Sequence, residues 1–213
     1  MPEVLTLSFT EEMKGFVTFG AADFEEGFER GEADGTDLMF HLTITASDVD
    51  RFLTDPEHAG EATGWVACER LGGRLPVDRG DFNLFVDTGD PPTTEMRYRL
   101  FFVSGDGTPM TLVGSKSVHD DPGFDVWSDT TTLYTSIHDG SVEPDTPTAP
   151  EPMAVGILRI HLTDFTKQLT TFRVRGGSLA DNLGALSRVG ALFLGKLWDV
   201  YGAAARTAVE RSS

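Results

Sequence analysis

The chain has 213 residues, 39% hydrophobic and 24% charged, with 15 Phe and 3 Trp; that is enough apolar material for a packed core and excludes a wholly disordered chain. Asp and Glu number 34 against 17 Lys and Arg, a net charge of −17, so a phosphate backbone is repelled and nucleic-acid binding is excluded. The single Cys68 rules out an internal disulfide and a multi-thiolate zinc site, and reads as a buried structural thiol.

The opening MPEVLTLSFTEEMKG lacks the basic start and apolar run of a secretory signal. No uncharged apolar stretch reaches the roughly 18–20 residues that span a bilayer, so a cytoplasmic protein without a membrane span is expected. Period-2 patterning then dominates. In LMFHLTIT (38–45), Leu38, Phe40, Leu42 and Ile44 share one face, and Met39, His41, Thr43 and Thr45 share the other. Ser47 or Asp48 is placed to cap a short helix through Leu53, stopped near Asp55-Pro56. TGWVACER (63–70) and DFNLFVD (81–87) read as strands, joined by a turn-rich LGGRLPVDRG. MRYRLFFV (96–103) and TPMTLVGSKSV (108–118) form a hairpin, because Asp106-Gly107 supplies positive-φ turn chemistry. TTTLYTSI (130–137), AVGILRIHL (154–162) and QLTTFRVRG (168–176) add three strands. LRIHLTDFTKQLTTF (158–172) repeats Leu-x-x-His-Leu-Thr from 38–53, with Thr163 or Asp164 able to cap a turn reaching Leu169.

DGSVEPDTPTAPEP (139–152) holds four prolines and little that enters a core, so it reads as a long surface loop. From Leu179, helical spacing joins Leu183, Leu186, Gly190, Phe193, Leu197 and Tyr201, with Leu192, Leu194 and Trp198 widening the stripe. Charge also changes along the chain. Residues 1–150 carry 29 acidic and 9 basic side chains, whereas 151–213 carry 5 and 8. The expected fold is mainly β, an antiparallel sandwich or partly closed barrel with a C-terminal α-helix. Residues 1–178 form the sandwich or barrel, and 179–213 the helix, packed on it or on a partner.

Seven segments carry a family resemblance: FTEEMKGFVTFG (9–20), GTDLMFHLTIT (35–45), DPEHAGEATGW (55–65), GGRLPVDRGDFNLFVD (72–87), DDPGFDVWSDTTTLYT (120–135), GILRIHLTDFTKQLTTFRV (156–174) and FLGKLWDVY (193–201). Together they resemble a β-rich accessory region of actinobacterial cholesterol-oxidase-like flavoproteins, of the glucose–methanol–choline (GMC) oxidoreductase class. No strand-linked Gly-x-Gly-x-x-Gly and no Gly-x-Ser-x-Gly occurs in this chain, so neither a dinucleotide site nor a hydrolase nucleophile is carried here. The resemblance implies no cofactor in this chain, FAD only on a partner oxidase, and an association with oxidation of steroid-like or lipid substrates.

The five histidines, 41, 58, 119, 138 and 161, show no metal-ligand spacing, and no metal site is expected. Asp120, Asp121, Asp125 and Asp129 cluster, but without the EF-hand pattern or its closing Glu, and read as a solvated loop. His41 and His161 lie on the less apolar faces of their strands. If those faces line a barrel, the two imidazoles and Arg159 can orient the polar end of an apolar ligand or transfer protons; a surface role is the competing reading. Lys116 and Tyr134, on adjacent strands, can polarise or protonate a carbonyl. Phe85, Phe101 and Trp65, with Arg159, are the expected ligand contacts. These features suggest an apolar-ligand binding or accessory module, and the resemblance implies that its ligand is steroid, lipid or polyketide-like and that it works beside a flavin-dependent GMC-type oxidase. The alternative is a cofactor-independent isomerase or cyclase using His41, His161, Lys116 and Tyr134 in the same pocket.

Overall fold

A computed structural model describes residues 4–89, 93–119, 131–144, 146, 150–160, 168 and 170–192. In chain order the elements are β1 (Thr6–Phe19), α1 (Phe24–Asp34), β2 (Asp37–Ala46), α2 (Val49–Thr54), β3 (Ala59–Cys68), β4 (Gly73–Asp87), β5 (Thr93–Val103), β6 (Pro109–His119), β7 (Thr132–Asp139), β8 (Ala154–Arg159), β9 (Arg173–Arg175) and a C-terminal helix, α3, over 179–192. Strands β1 to β8 pair antiparallel, each with its sequence neighbour, and β1 closes the sheet by pairing with both β2 and β8. The result is a closed eight-stranded barrel, with β9 added outside it on the first residues of β1.

Closure explains the alternation. One face of each strand turns into the barrel, so Leu38, Phe40, Leu42 and Ile44 of β2 are buried while His41 and Thr43 point out. The hairpin at Asp106-Gly107 forms as expected: Gly107 has φ +90° and donates its N–H to the Ser104 carbonyl at 2.9 Å. Asp48 caps α2, accepting from Arg51 N at 3.0 Å. β4 is longer than its pattern suggested. It begins at Gly73 and takes in much of the turn-rich connection, with irregular register around Val77–Arg79 and Asn83–Val86. The last strand, by contrast, shrinks to Arg173–Arg175 after a turn at 170–171.

Two elements had no counterpart in the sequence reading. β1 is the seam of the barrel: its pairing with β2 runs from Leu7↔Ala46 to Phe16↔Asp37, and with β8 from Lys14↔Arg159 to Phe19↔Ala154. α1 lies against the outer wall over β1 and β8. Asp23 caps its start, and Gly27 and Gly31 let its backbone sit directly on the strands. A Cβ at Gly27 would lie 2.3 Å from the Val155 carbonyl oxygen, and one at Gly31 2.5 Å from that of Val17. Either methyl would push the helix away.

One end of the barrel is covered by α2, through Val49 and Phe52, and by α3, through Ala185 and Val189. An ion pair between Arg188 and Asp50 at 2.6 Å ties the two helices together. Of the expected leucine stripe, Leu192 packs against the core, whereas Leu179 and Leu183 are 77% and 58% exposed. The rest of that stripe beyond residue 192, the acidic cluster 120–129, and His161 with its following cap lie outside the described residues. No described helix is long and apolar enough to cross a membrane.

Candidate functional site

The inward positions of β1 read Leu7, Phe9, Glu11 and Met13, so a carboxylate occupies a register that calls for an apolar side chain. It does not turn back to solvent. It reaches across the barrel to the opposite wall, where Glu11 Oε1 accepts a hydrogen bond from Lys116 Nζ on β6 at 2.8 Å. Its other oxygen, Oε2, accepts from the Tyr98 hydroxyl on β5, also at 2.8 Å. The side chains of Lys116 and Glu11 are 1% and 2% exposed. The ammonium also stands 5.2 Å from the centre of the Tyr98 ring.

The surroundings are apolar. Phe40 and Phe82 pack on Tyr98 with ring centres 5.7 and 5.1 Å away, and Phe9 meets Phe82 edge-on. Met13 neighbours Glu11 on the inner face of β1, and Met96 is the strand partner of Lys116. In this setting the Tyr98 phenol is held well above its ordinary pKa. Burial is the main cause, followed by the negative charge of Glu11 and the hydrogen bond to it. Tyr98 is therefore a fixed O–H donor. Glu11 is the only hydrogen-bond acceptor of Lys116 among the described residues, which leaves the ammonium with unspent donor capacity.

An ion pair buried this deeply is poorly explained by stability. Desolvating both charges offsets most of their attraction, and a well-packed apolar pair is often as stable. Chemically, the cluster offers a cationic donor, a phenolic donor and a carboxylate acceptor among apolar core side chains. That set can hold an oxygen atom of a ligand or move a proton to or from it.

Of the residues singled out in the sequence, Lys116 belongs to this cluster. Tyr134 does not. It lies on the outer face of β7 against Phe24 of α1, because its strand partner is Ser115, one position from Lys116, and successive strand positions face alternately out and in. His41 is also outside, half-exposed, with Nδ1 3.3 Å from Glu12 and its ring stacked on Trp65. The histidine face of β2 is thus the outer wall rather than the lining, and Trp65 shares it beneath Arg74. Phe101 is buried on the exterior under the Arg79 guanidinium, and Arg159 lies exposed over Phe28. Phe85 joins the hydrophobic core from an irregular stretch of β4, with φ of 51°. Cys68 is buried, and burial raises its thiol pKa. Glu11 and Tyr98 were missed. The signal available was Glu11 itself, a charge breaking an alternation that is otherwise apolar from Leu7 to Met13.

Among the described residues, no three His, Cys, Asp or Glu side chains come together to hold a metal ion. No family model, curated protein or solved structure matches the chain.

Proposed function

We propose that the barrel is a binding module for an apolar small molecule carrying an oxygen function, of steroid, lipid or polyketide-like character, with that oxygen directed at Lys116 and Tyr98. The observation that carries this reading is the buried Glu11–Lys116–Tyr98 cluster in an otherwise apolar interior. An eight-stranded barrel is just wide enough to be filled by side chains or to hold one small ligand. Buried side chains line the inner faces, and three of them, Met13, Met96 and Met110, are unbranched thioethers able to change rotamer and make room. Partnership with a GMC-type flavin oxidase rests on the sequence resemblance alone.

A second reading has a specific support. With a phenol held protonated and a carboxylate beside it, the cluster contains the acid and base that a cofactor-independent isomerase or cyclase needs. Tyr98, Lys116 and Glu11 then take the roles the sequence suggested for His41, His161, Lys116 and Tyr134.

The test uses a fluorescent sterol and a fluorescent fatty acid, titrated into the wild type and into the double variant Glu11→Gln/Lys116→Met. The Gln keeps an acceptor for Tyr98, and the Met fills the place of the lysine chain, so the barrel stays closed. Saturable binding by the wild type, competed by unlabelled ligand and weakened in the double variant, supports the reading. Absence of saturable binding to either probe overturns it. Conversion of a bound ligand by the wild type, absent in Tyr98→Phe, would favour the isomerase or cyclase.

A further inference from the structure

We propose that a second, outward-facing cleft between α1 and the barrel wall binds one amphiphile: an apolar chain with an anionic head of carboxylate type. The cleft is about 610 Å³, within the range of small-ligand sites. Its apolar lining comes from Phe16 on β1, Phe28 on α1, Met39 on β2 and Ala67 on β3. It is separate from the barrel interior, because Phe16 and Met39 belong to the outward register of their strands.

Two cations stand where the head would sit. Lys14 and Arg159 are directly opposite each other in the β1–β8 pairing, and both line the cleft. Like charges facing each other across two strands repel, and that arrangement calls for anions. Lys14 has one in Glu12, at 2.6 Å. Arg159 meets no carboxylate among the described residues. Its guanidinium lies over the Phe28 ring, 4.4 Å from the centroid, which holds the planar group in place while leaving its N–H fork unspent.

The remaining charged residues of the cleft set the direction of the ligand. Glu32 in the last turn of α1, Asp37 at the start of β2 and Glu69 just after β3 are acidic and exposed. Asp37 pairs with Phe16, two positions along β1 from Lys14, which is roughly 7 Å. An anionic head is repelled from that rim and held at Lys14 and Arg159, with the chain lying over Phe16, Phe28 and Met39.

The same head-and-chain chemistry is found in a free fatty acid and in an anionic membrane lipid, so the experiment separates them. Decanoate, decanol and decyltrimethylammonium are titrated below their aggregation limits into the isotope-labelled full chain, with backbone amide shifts read by NMR. Anionic phospholipid vesicles form a parallel co-sedimentation arm. The expected result is saturable decanoate binding with shifts at Lys14, Met39 and Ala67, tighter than decanol. Arg159→Gln should weaken decanoate about threefold and leave decanol unchanged, the effect of one exposed charge contact. Ala67→Trp, which fills the cleft from an outward position, should abolish both. Equal affinity for decanoate and decanol, or tighter binding of the ammonium, overturns the anionic head. Binding unaffected by Ala67→Trp, with shifts at residues of the barrel interior, overturns the cleft. Vesicle association without binding of monomeric decanoate overturns the single-amphiphile site. Glu11→Gln/Lys116→Met is carried alongside: decanoate binding retained there keeps this proposal apart from the fate of the interior cluster.

Discussion

Consecutive residues of β1 send carboxylates in opposite directions. Glu11 points into the barrel and meets Lys116, both nearly inaccessible to solvent; Glu12 points out and meets Lys14 at 2.6 Å and His41 at 3.3 Å, with over a quarter of its side chain exposed. The two contacts are nearly the same length and chemically alike. What differs is the medium. Outside, water and salt compensate each charge whether or not the partner is present. Inside, each charge depends on the other, so the inner pair is costly to break and unremarkable to replace whole. Shared strand, shared chemistry and adjacent positions thus yield one contact that dominates its surroundings and one that barely registers.

The largest effect comes from removing half of the inner pair. Lys116→Met should cost about 3–5 kcal/mol in urea unfolding, because Glu11 is stranded as a buried charge, whereas Glu11→Gln/Lys116→Met should recover most of that loss. A double variant no more stable than the single would contradict the stranded-charge account. Next in size, Tyr98→Phe removes one of the two donors on Glu11 and should cost about 1–3 kcal/mol, read from the same unfolding curves. An unchanged midpoint would mean that the Tyr98 hydrogen bond contributes nothing.

His138 lies between the two extremes. It is buried on the outer face of β7, with Nδ1 3.0 Å from the Pro150 carbonyl and Nε2 2.9 Å from Ser136 Oγ, and burial lowers its pKa. A depressed imidazole contributes stability that is fully present above its unfolded pKa of about 6.5 and is lost as pH falls through the folded value. Thermal midpoints should therefore decline on acidification below that pH, and His138→Gln should flatten the decline. The smallest effect belongs to the outer pair. Lys14 lowers the Glu12 pKa chiefly by hydrogen bonding, so its contribution is present above the ordinary carboxyl range and disappears as pH falls. Glu12→Gln should cost at most about 0.5 kcal/mol near neutral pH, and less in high salt. A larger cost, insensitive to salt, would show that the outer pair is not compensated by solvent.

The same contrast explains what was legible in the sequence. Alternation exposed β2, β5 and β6, and local chemistry exposed the Asp106-Gly107 turn and the Asp48 cap, because each signal lies within a few residues. Residues 6–19 were overlooked because Glu11 breaks the apolar face that would have announced a strand. α1 was overlooked because its contact face is built from Gly27 and Gly31, which give no hydrophobic stripe. Lys116 could be flagged by type, but its partners lie 105 residues upstream at Glu11 and on the preceding strand at Tyr98. Whether a strand face turns inward is decided by closure, a property of the whole sheet; this is why His41, Trp65 and Arg159 fell on the outer wall. The helix from 179 shows a related limit: Ala185 and Val189, with Leu192 beside them, make its contact, while the more conspicuous Leu179 and Leu183 face solvent.

The seam made by β1 has a consequence for how the chain reaches this state. β1 can zip to β2 as soon as both are synthesised, but its other edge has no partner until β8 emerges, well over a hundred residues later. Until then the sheet is an open ribbon with an unpaired edge at each end, and its apolar inner face is only partly enclosed. The β1–β8 pairing is a long-range closure, and contacts of that kind characterise topologies that fold toward the slow, millisecond-to-second end for single domains. In that interval the barrel is most vulnerable to pairing with another copy of itself, and anything that delays the arrival of β8 lengthens it.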